Sequence, residues 1–194
     1  MKVGLYFGSF NPIHNGHLIV ANHILNETSL EKVWFVVSPQ NPFKQSGELL
    51  NEYDRLHLVQ KAIEADFRLK VSDIEFNLPR PSYTTNTLAY LSEKYPTNEF
   101  SILMGSDSFQ NLGNWKNAQF IISNYPIIVY KRPGFEINNK LNASIQIMDA
   151  PLLQISATYI RELIKSGKSI KYLVPPIVEE EINAGSYFKK LQKK

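Results

Sequence analysis

The sequence predicts an α/β protein with a doubly wound, mostly parallel sheet and a small C-terminal helical part. Three observations carry that expectation. Short β-branched and aromatic runs alternate with segments whose apolar residues recur at helical spacing. The runs are almost continuously apolar, as strands buried on both faces must be. After Pro151 the strand-like runs stop and only helical patterns remain. Strands that alternate with helices call for right-handed crossovers and a Rossmann-like layering of helices on both faces of one sheet.

Taken in order, "KVGLYF" (2–7) and "KVWFVVS" (32–38) predict buried strands, and "GHLIVANHILNE" (16–27) between them predicts a helix, which makes a βαβ unit. A helix is expected over 51–65, with Leu56, Val59, Ala62 and Ile63 as its apolar face, followed by a strand over 68–76. "PSYTTNTLAYLSEKY" (81–95) predicts a helix capped by Ser82 or Thr84 and ended by Pro96. Strands follow at 99–105, 126–133 and 144–150, then helices at 156–167 and 175–185. One domain spans 1–194, with the α/β core over 1–150 and the helical part over 151–194. The connection 38–51 is long for an α/β unit, as binding loops and lids often are, and the loop 39–50 within it is expected to order on mononucleotide binding.

Composition narrows the function. A net charge of +3, with Lys and Arg dispersed, suits a protein that meets small anions and argues against a nucleic-acid stripe. The only basic cluster, "KKLQKK", is read as a solvated tail. The absence of cysteine rules out disulfides and thiolate chemistry and fits a reducing, cytoplasmic setting. No apolar run reaches the length of a membrane span, and no leader pattern opens the chain. A homo-oligomer is compatible with the sequence, which does not specify one.

The chemistry concentrates in "GSFNPIHNGH" (8–17), a strand-to-helix turn at the place where such sheets bind phosphate. Gly8 allows unusual torsions or a close approach, and Asn15-Gly16 open a helix whose N–H groups and dipole attract an anion. His14 and His17, one turn apart, can donate to phosphoryl oxygens and carry positive charge as negative charge builds. Zinc is disfavoured because no Cys or acidic residue stands at a useful offset and HExxH is absent, so no resident metal is expected. "GKS" at 167–169 is no P-loop, since Glu162 stands where glycine is needed.

"GSFNPIHNGH" resembles the (H/T)xGH motif of the nucleotidylyltransferase superfamily, and "ISATYIR" (155–161) resembles its second motif, ISxTxxR. The segments "SPQNPFK", "PSYTTNTL", "MGSDSFQNLGNWKN", "VYKRPG" and "YLVPPIVEEEI" between and beyond them are similar to those of bacterial nicotinate-nucleotide adenylyltransferases, in the same order. The resemblance implies adenylyl transfer from ATP to nicotinate mononucleotide, with Mg²⁺ accompanying the polyphosphate. It implies that His17 meets the α-phosphate, that His14 lies nearer the β-phosphate, and that Gly8, Ser9, Phe10 and Gly16 complete the ATP cradle. Ser156, Thr158 and Arg161 would hold the leaving pyrophosphate at a helix start.

For the mononucleotide, Trp115 offers a stacking platform, and the main-chain N–H groups of Tyr83, Thr84 and Thr85 would receive the nicotinate carboxylate. Asp107 is expected to accept from a ribose hydroxyl or else to cap a helix, and Lys44 and Arg132 are candidate phosphate contacts. Lys44 departs from the His or Arg of many members. The competing readings are a phosphopantetheine adenylyltransferase and a non-catalytic nucleotide sensor.

Overall fold

The computed structural model describes residues 1–40, 49–151 and 154–189. Six strands form one sheet: β1 (Lys2–Gly8), β2 (Lys32–Val37), β3 (Leu69–Ser72), β4 (Glu99–Gly105), β5 (Ile127–Tyr130) and β6 (Ile145–Met148). Their order is β3-β2-β1-β4-β5-β6. Every pairing is parallel, so the sheet is parallel throughout where the sequence predicted a mostly parallel one. The helices are α1 (Asn15–Glu27), α2 (Glu52–Ile63), α3 (Thr84–Lys94), α4 (Ser106–Gln110), α5 (Ala118–Asn124), α6 (Ala157–Lys165) and α7 (Pro176–Ala184).

Strand alternation divides the core in two. Tyr6, Phe35, Leu103 and Ile128 point to one face, where Val20 and Ile24 of α1, Leu58 and Val59 of α2, Ile160 of α6 and Val178 of α7 cover them. Leu5, Trp34, Ile102 and Val129 point to the other, under Leu88 and Leu91 of α3 and Ile121 of α5. The C-terminal helices thus share a core with α1 and α2. Two side-chain contacts tie this region to α2: His57 Nε2 lies 3.1 Å from Glu181 Oε2, and the Tyr187 hydroxyl donates to Asp54 at 3.1 Å.

Three local expectations need correction. Residues 73–76 do not extend β3: its register with β2 ends at Val36 and Ser72, and the chain turns into a 3₁₀ turn, Ile74–Asn77. Neither Ser82 nor Thr84 caps α3. Tyr83 holds that position, with no side-chain cap bond, and Ser82 is engaged elsewhere. On α2 the buried face is Arg55, Leu58, Val59 and Ile63, rotated from the expected stripe so that an arginine points inward. Helices α4 and α5, in a stretch rich in Asn and Gly, were not anticipated.

Candidate active site

The strand order reverses between β1 and β4, and a cleft opens there beyond the carboxyl ends of the strands, where doubly wound sheets bind ligands. On its first side the chain leaves β1 through a turn that folds back on the sheet. Phe10 is buried with φ 44°, so the left-handed residue of the turn is a phenylalanine. Gly8 serves close approach instead: a Cβ there would lie 2.8 Å from the Phe10 ring. Phe10 and Tyr6 then stand edge-on to the His17 imidazole, at centroid distances of 5.1 and 5.9 Å.

His14 precedes α1 and is almost fully buried, its ring stacked on His17 at 3.7 Å. The His14 main-chain N–H donates to His17 Nδ1 at 3.3 Å. An imidazole that accepts at Nδ1 carries its proton on Nε2 when neutral. Burial, helped by the Arg132 charge, lowers the His14 pKa to about 4, so resting His14 is neutral at physiological pH. Its Nδ1 is buried with no hydrogen-bond partner among the described residues, and a Cβ on Gly16 would sit 3.0 Å from it. The start of α1 is also less open than the sequence implied. The Asn15 N–H donates to the Leu173 carbonyl at 2.9 Å, and the Asn15 side-chain amide donates to the Tyr172 carbonyl at 2.7 Å.

The second motif meets the first directly. Arg161 Nη1 donates to the Asn11 carbonyl at 2.8 Å, and Nη2 lies 3.3 Å from Thr158 Oγ1. Ser156 caps α6, its hydroxyl accepting from the Tyr159 N–H at 3.2 Å. Arg132 pairs with Asp107, Nη1 to Oδ2 at 2.9 Å, while its N–H donates to Ser106 Oγ at the same distance. Burial works against the Arg132 charge, but Asp107 together with Tyr130 and Tyr6 more than offsets this and raises its pKa. Asp107 is therefore an ion-pair partner in the first turn of α4 and not a helix cap; its Oδ1 is buried and unpartnered among the described residues.

On the other side of the cleft lie Tyr83, Thr84 and Trp115, together with Ser38, Glu75 and Ser82. The opening turn of α3 leaves the Thr84 and Thr85 N–H groups with no acceptor inside the helix. Thr85 is buried behind this wall, and its hydroxyl donates to the Lys116 carbonyl at 2.6 Å, joining α3 to the Trp115 segment. Lys116 Nζ lies 4.3 Å above the Tyr83 ring. Of the residues expected to bind mononucleotide, Tyr83, Thr84 and Trp115 come together. Asp107 and Arg132 stand toward the histidines, and Lys44 lies outside the described residues. A second groove, at the amino ends of the strands beside Lys2, Phe100 and Gln146, is remote from both motifs.

Sequence reasoning missed what braces these walls. Arg55 is fully buried, yet among the described residues it makes no ion pair; it donates to four main-chain carbonyls. These are Ser9 (2.6 Å), Ser38 (2.8 Å), Pro39 (3.0 Å) and Leu50 (2.8 Å). Burial lowers its pKa to about 10, which leaves it charged at neutral pH. The signal was present: Arg55 stands at i, i+3, i+4 from Leu58 and Val59 and so belongs to the apolar stripe. The hydroxyls of Tyr6 and Tyr130, 3.0 Å apart, close the floor, and burial keeps both protonated.

The fold and both motifs define a nucleotidyltransferase, and residues 5–163 match the cytidylyltransferase-like family. The curated relatives are more specific. A probable nicotinate-nucleotide adenylyltransferase of Cytophaga hutchinsonii is 50% identical over 97% of this chain and 98% of its own. One of Flavobacterium psychrophilum is 50% identical over 98% of this chain and 100% of its own. This chain belongs to the nicotinate-nucleotide adenylyltransferases, nucleotidyltransferases of NAD biosynthesis. A solved nicotinic acid mononucleotide adenylyltransferase of Plasmodium falciparum, complexed with NaAD, shares the fold. It has a TM-score of 0.81 and 19% identity, covering 96% of this chain and 97% of that one.

Proposed function

We propose that the two sides of the cleft hold the two substrates of one displacement: ATP against the histidines and nicotinate mononucleotide against α3 and Trp115. The observation that carries this reading is the Arg161 bond to the Asn11 carbonyl, which fixes the two motifs into one cradle beside a pocket with main-chain donors. A phosphate oxygen of the mononucleotide attacks the α-phosphorus of ATP in line, one P–O bond forms as another breaks, and pyrophosphate leaves. His17, held between Tyr6, Phe10 and His14, would donate from Nε2 to the α-phosphate as charge accumulates. His14 would act as a neutral donor until polyphosphate raises its proton affinity.

Gly8, Ser9, Phe10 and Gly16 shape the turn, while Thr158 and Arg161 would take the leaving pyrophosphate, with Ser156 fixing the helix that carries them. Asp107 Oδ1 is the oxygen left to receive a ribose hydroxyl, and Arg132 places positive charge beside the polyphosphate. Mg²⁺ would arrive as MgATP; among the described residues no group of three His, Cys, Asp or Glu could hold a metal of its own. The Thr84 and Thr85 N–H groups would favour an acid over an amide, with Trp115 stacking on the ring. Among the described residues no helix is long and apolar enough to cross a membrane, and a cytoplasmic location accords with this chemistry.

The test is pyrophosphate release from MgATP with nicotinate mononucleotide, nicotinamide mononucleotide and phosphopantetheine offered separately. Fast release with the first alone is expected. Comparable rates with the amide would remove the carboxylate argument, and release only with phosphopantetheine would overturn the acceptor assignment.

A further inference from the structure

Glu75 sits in the 3₁₀ turn between β3 and α3, 2% exposed, at the back of the mononucleotide side of the cleft. Its carboxylate collects three hydroxyl donors. Ser82 Oγ donates to Oε2 at 2.8 Å, Thr87 Oγ1 donates to Oε1 at 2.9 Å, and the Ser38 hydroxyl is the third. These hydroxyls belong to three separate pieces of chain: the end of β2, the turn before α3, and the first turn of α3 itself. Ser38, Glu75 and Ser82 all line the cleft, and the Thr87 hydroxyl also lies 3.4 Å from the Tyr83 carbonyl.

An apolar side chain of similar size would fill this position without the desolvation penalty that pushes the Glu75 carboxyl pKa up. What it could not supply is direction. Hydrogen bonds fix angles as well as distances, and three of them converging on one planar group lock three backbones against each other. We propose that Glu75 is the positioning residue of the mononucleotide site, stapling the Ser38 wall to the Ser82–Thr87 wall and so aiming the N–H groups of residues 83–85. Its role is exerted through these two walls. The inference rests on reading this side of the cleft as the acceptor site, and it adds the element that makes a pocket of loops rigid enough to select a substituent.

The decisive measurement separates the two Michaelis constants. Glu75→Ala should raise KM for nicotinate mononucleotide about tenfold and leave KM for ATP within about twofold, as loss of aligned donors at one subsite requires. Glu75→Gln should recover most of the loss. Its amide oxygen accepts from Ser82, and its amide N–H donates to Thr87, whose hydroxyl can turn to the Tyr83 carbonyl 3.4 Å away. Thr87→Val, which keeps shape and removes one donor, should raise the same KM about threefold and serves if Glu75→Ala does not fold. An unchanged mononucleotide KM, an equal rise in both constants, or no rescue by Gln would overturn the proposal. Hydrogen exchange over 82–88 reads the scaffold independently of the acceptor. Faster exchange in Glu75→Ala or Thr87→Val is expected whichever acceptor wild type uses, and unchanged exchange would refute the staple even if the acceptor assignment itself had failed.

Discussion

The two sides of the cleft are built in opposite ways. The histidine side is centred on one short stretch: the turn, the stacked imidazoles and the hydrogen bond between them all lie within residues 8–17, and Arg55, Arg132, Arg161, Tyr172 and Leu173 join it from afar. The side proposed to take mononucleotide has no such local unit. Ser38, Glu75, Ser82, Thr87 and Trp115 come from separate places in the chain: one buried carboxylate joins Ser38, Ser82 and Thr87, one buried guanidinium holds the Ser38 carbonyl, and Thr85 ties in the Trp115 segment. A site of the first kind fails by losing a functional group, whereas one of the second kind fails by losing alignment.

The largest effect should come from the first kind. On the proposed reading His17→Ala removes the donor to the reacting phosphate and should lower kcat by about a thousandfold, with binding of a non-hydrolysable ATP analogue, measured by calorimetry, within a few fold. A parallel collapse of binding would make the histidine side a sensor and break the contrast. Arg55 belongs to both sides, since its fork joins Ser9 to Ser38 and Pro39. Arg55→Met should leave four carbonyls short of donors and lower unfolding stability by about 3 kcal/mol in a urea titration. It should also depress turnover of both substrates together, unlike the substitutions at Glu75.

The smallest effect is the most discriminating, because the two sides respond to pH with opposite sign. His14 has a folded pKa near 4 against 6.5 when unfolded, so between those values the unfolded chain binds more protons. Stability therefore falls as pH drops from 6.5 toward 4 and levels off below, with a slope of at most about 1.4 kcal/mol per pH unit. Glu75 has a raised folded pKa, so its contribution is complete below the unfolded value of 4.5 and is lost as pH rises through the folded one. Denaturant midpoints against pH should flatten on the acid side in His14→Gln and steepen there in Glu75→Gln.

The same contrast explains what could be read from the sequence. Strands buried on both faces announce themselves as apolar runs, and a phosphate turn with its motif is contiguous, so the sheet, the histidines and Arg161 were legible. Helices α4 and α5, at 5 and 7 residues, are too short for a period to show. Trp115 and Tyr83 were found only through the resemblance. Glu75 and Arg55 were not found: a carboxylate in a turn looks solvated until the tertiary fold brings three hydroxyls to it, and the charge of Arg55 outweighed its place on the apolar stripe until four carbonyls converged on it.

The bonds from Arg161 to Asn11 and from Asn15 to Tyr172 and Leu173 also set an order of events during synthesis. The opening strand and its turn are made well before the carbonyls and the guanidinium that complete the cradle, about 150 residues further along the chain. A nascent or prematurely released chain therefore carries both histidines without the partners that complete their cradle. The cradle is complete only once the chain has been read past Leu173, so its two halves cannot meet while they are still being made one after the other.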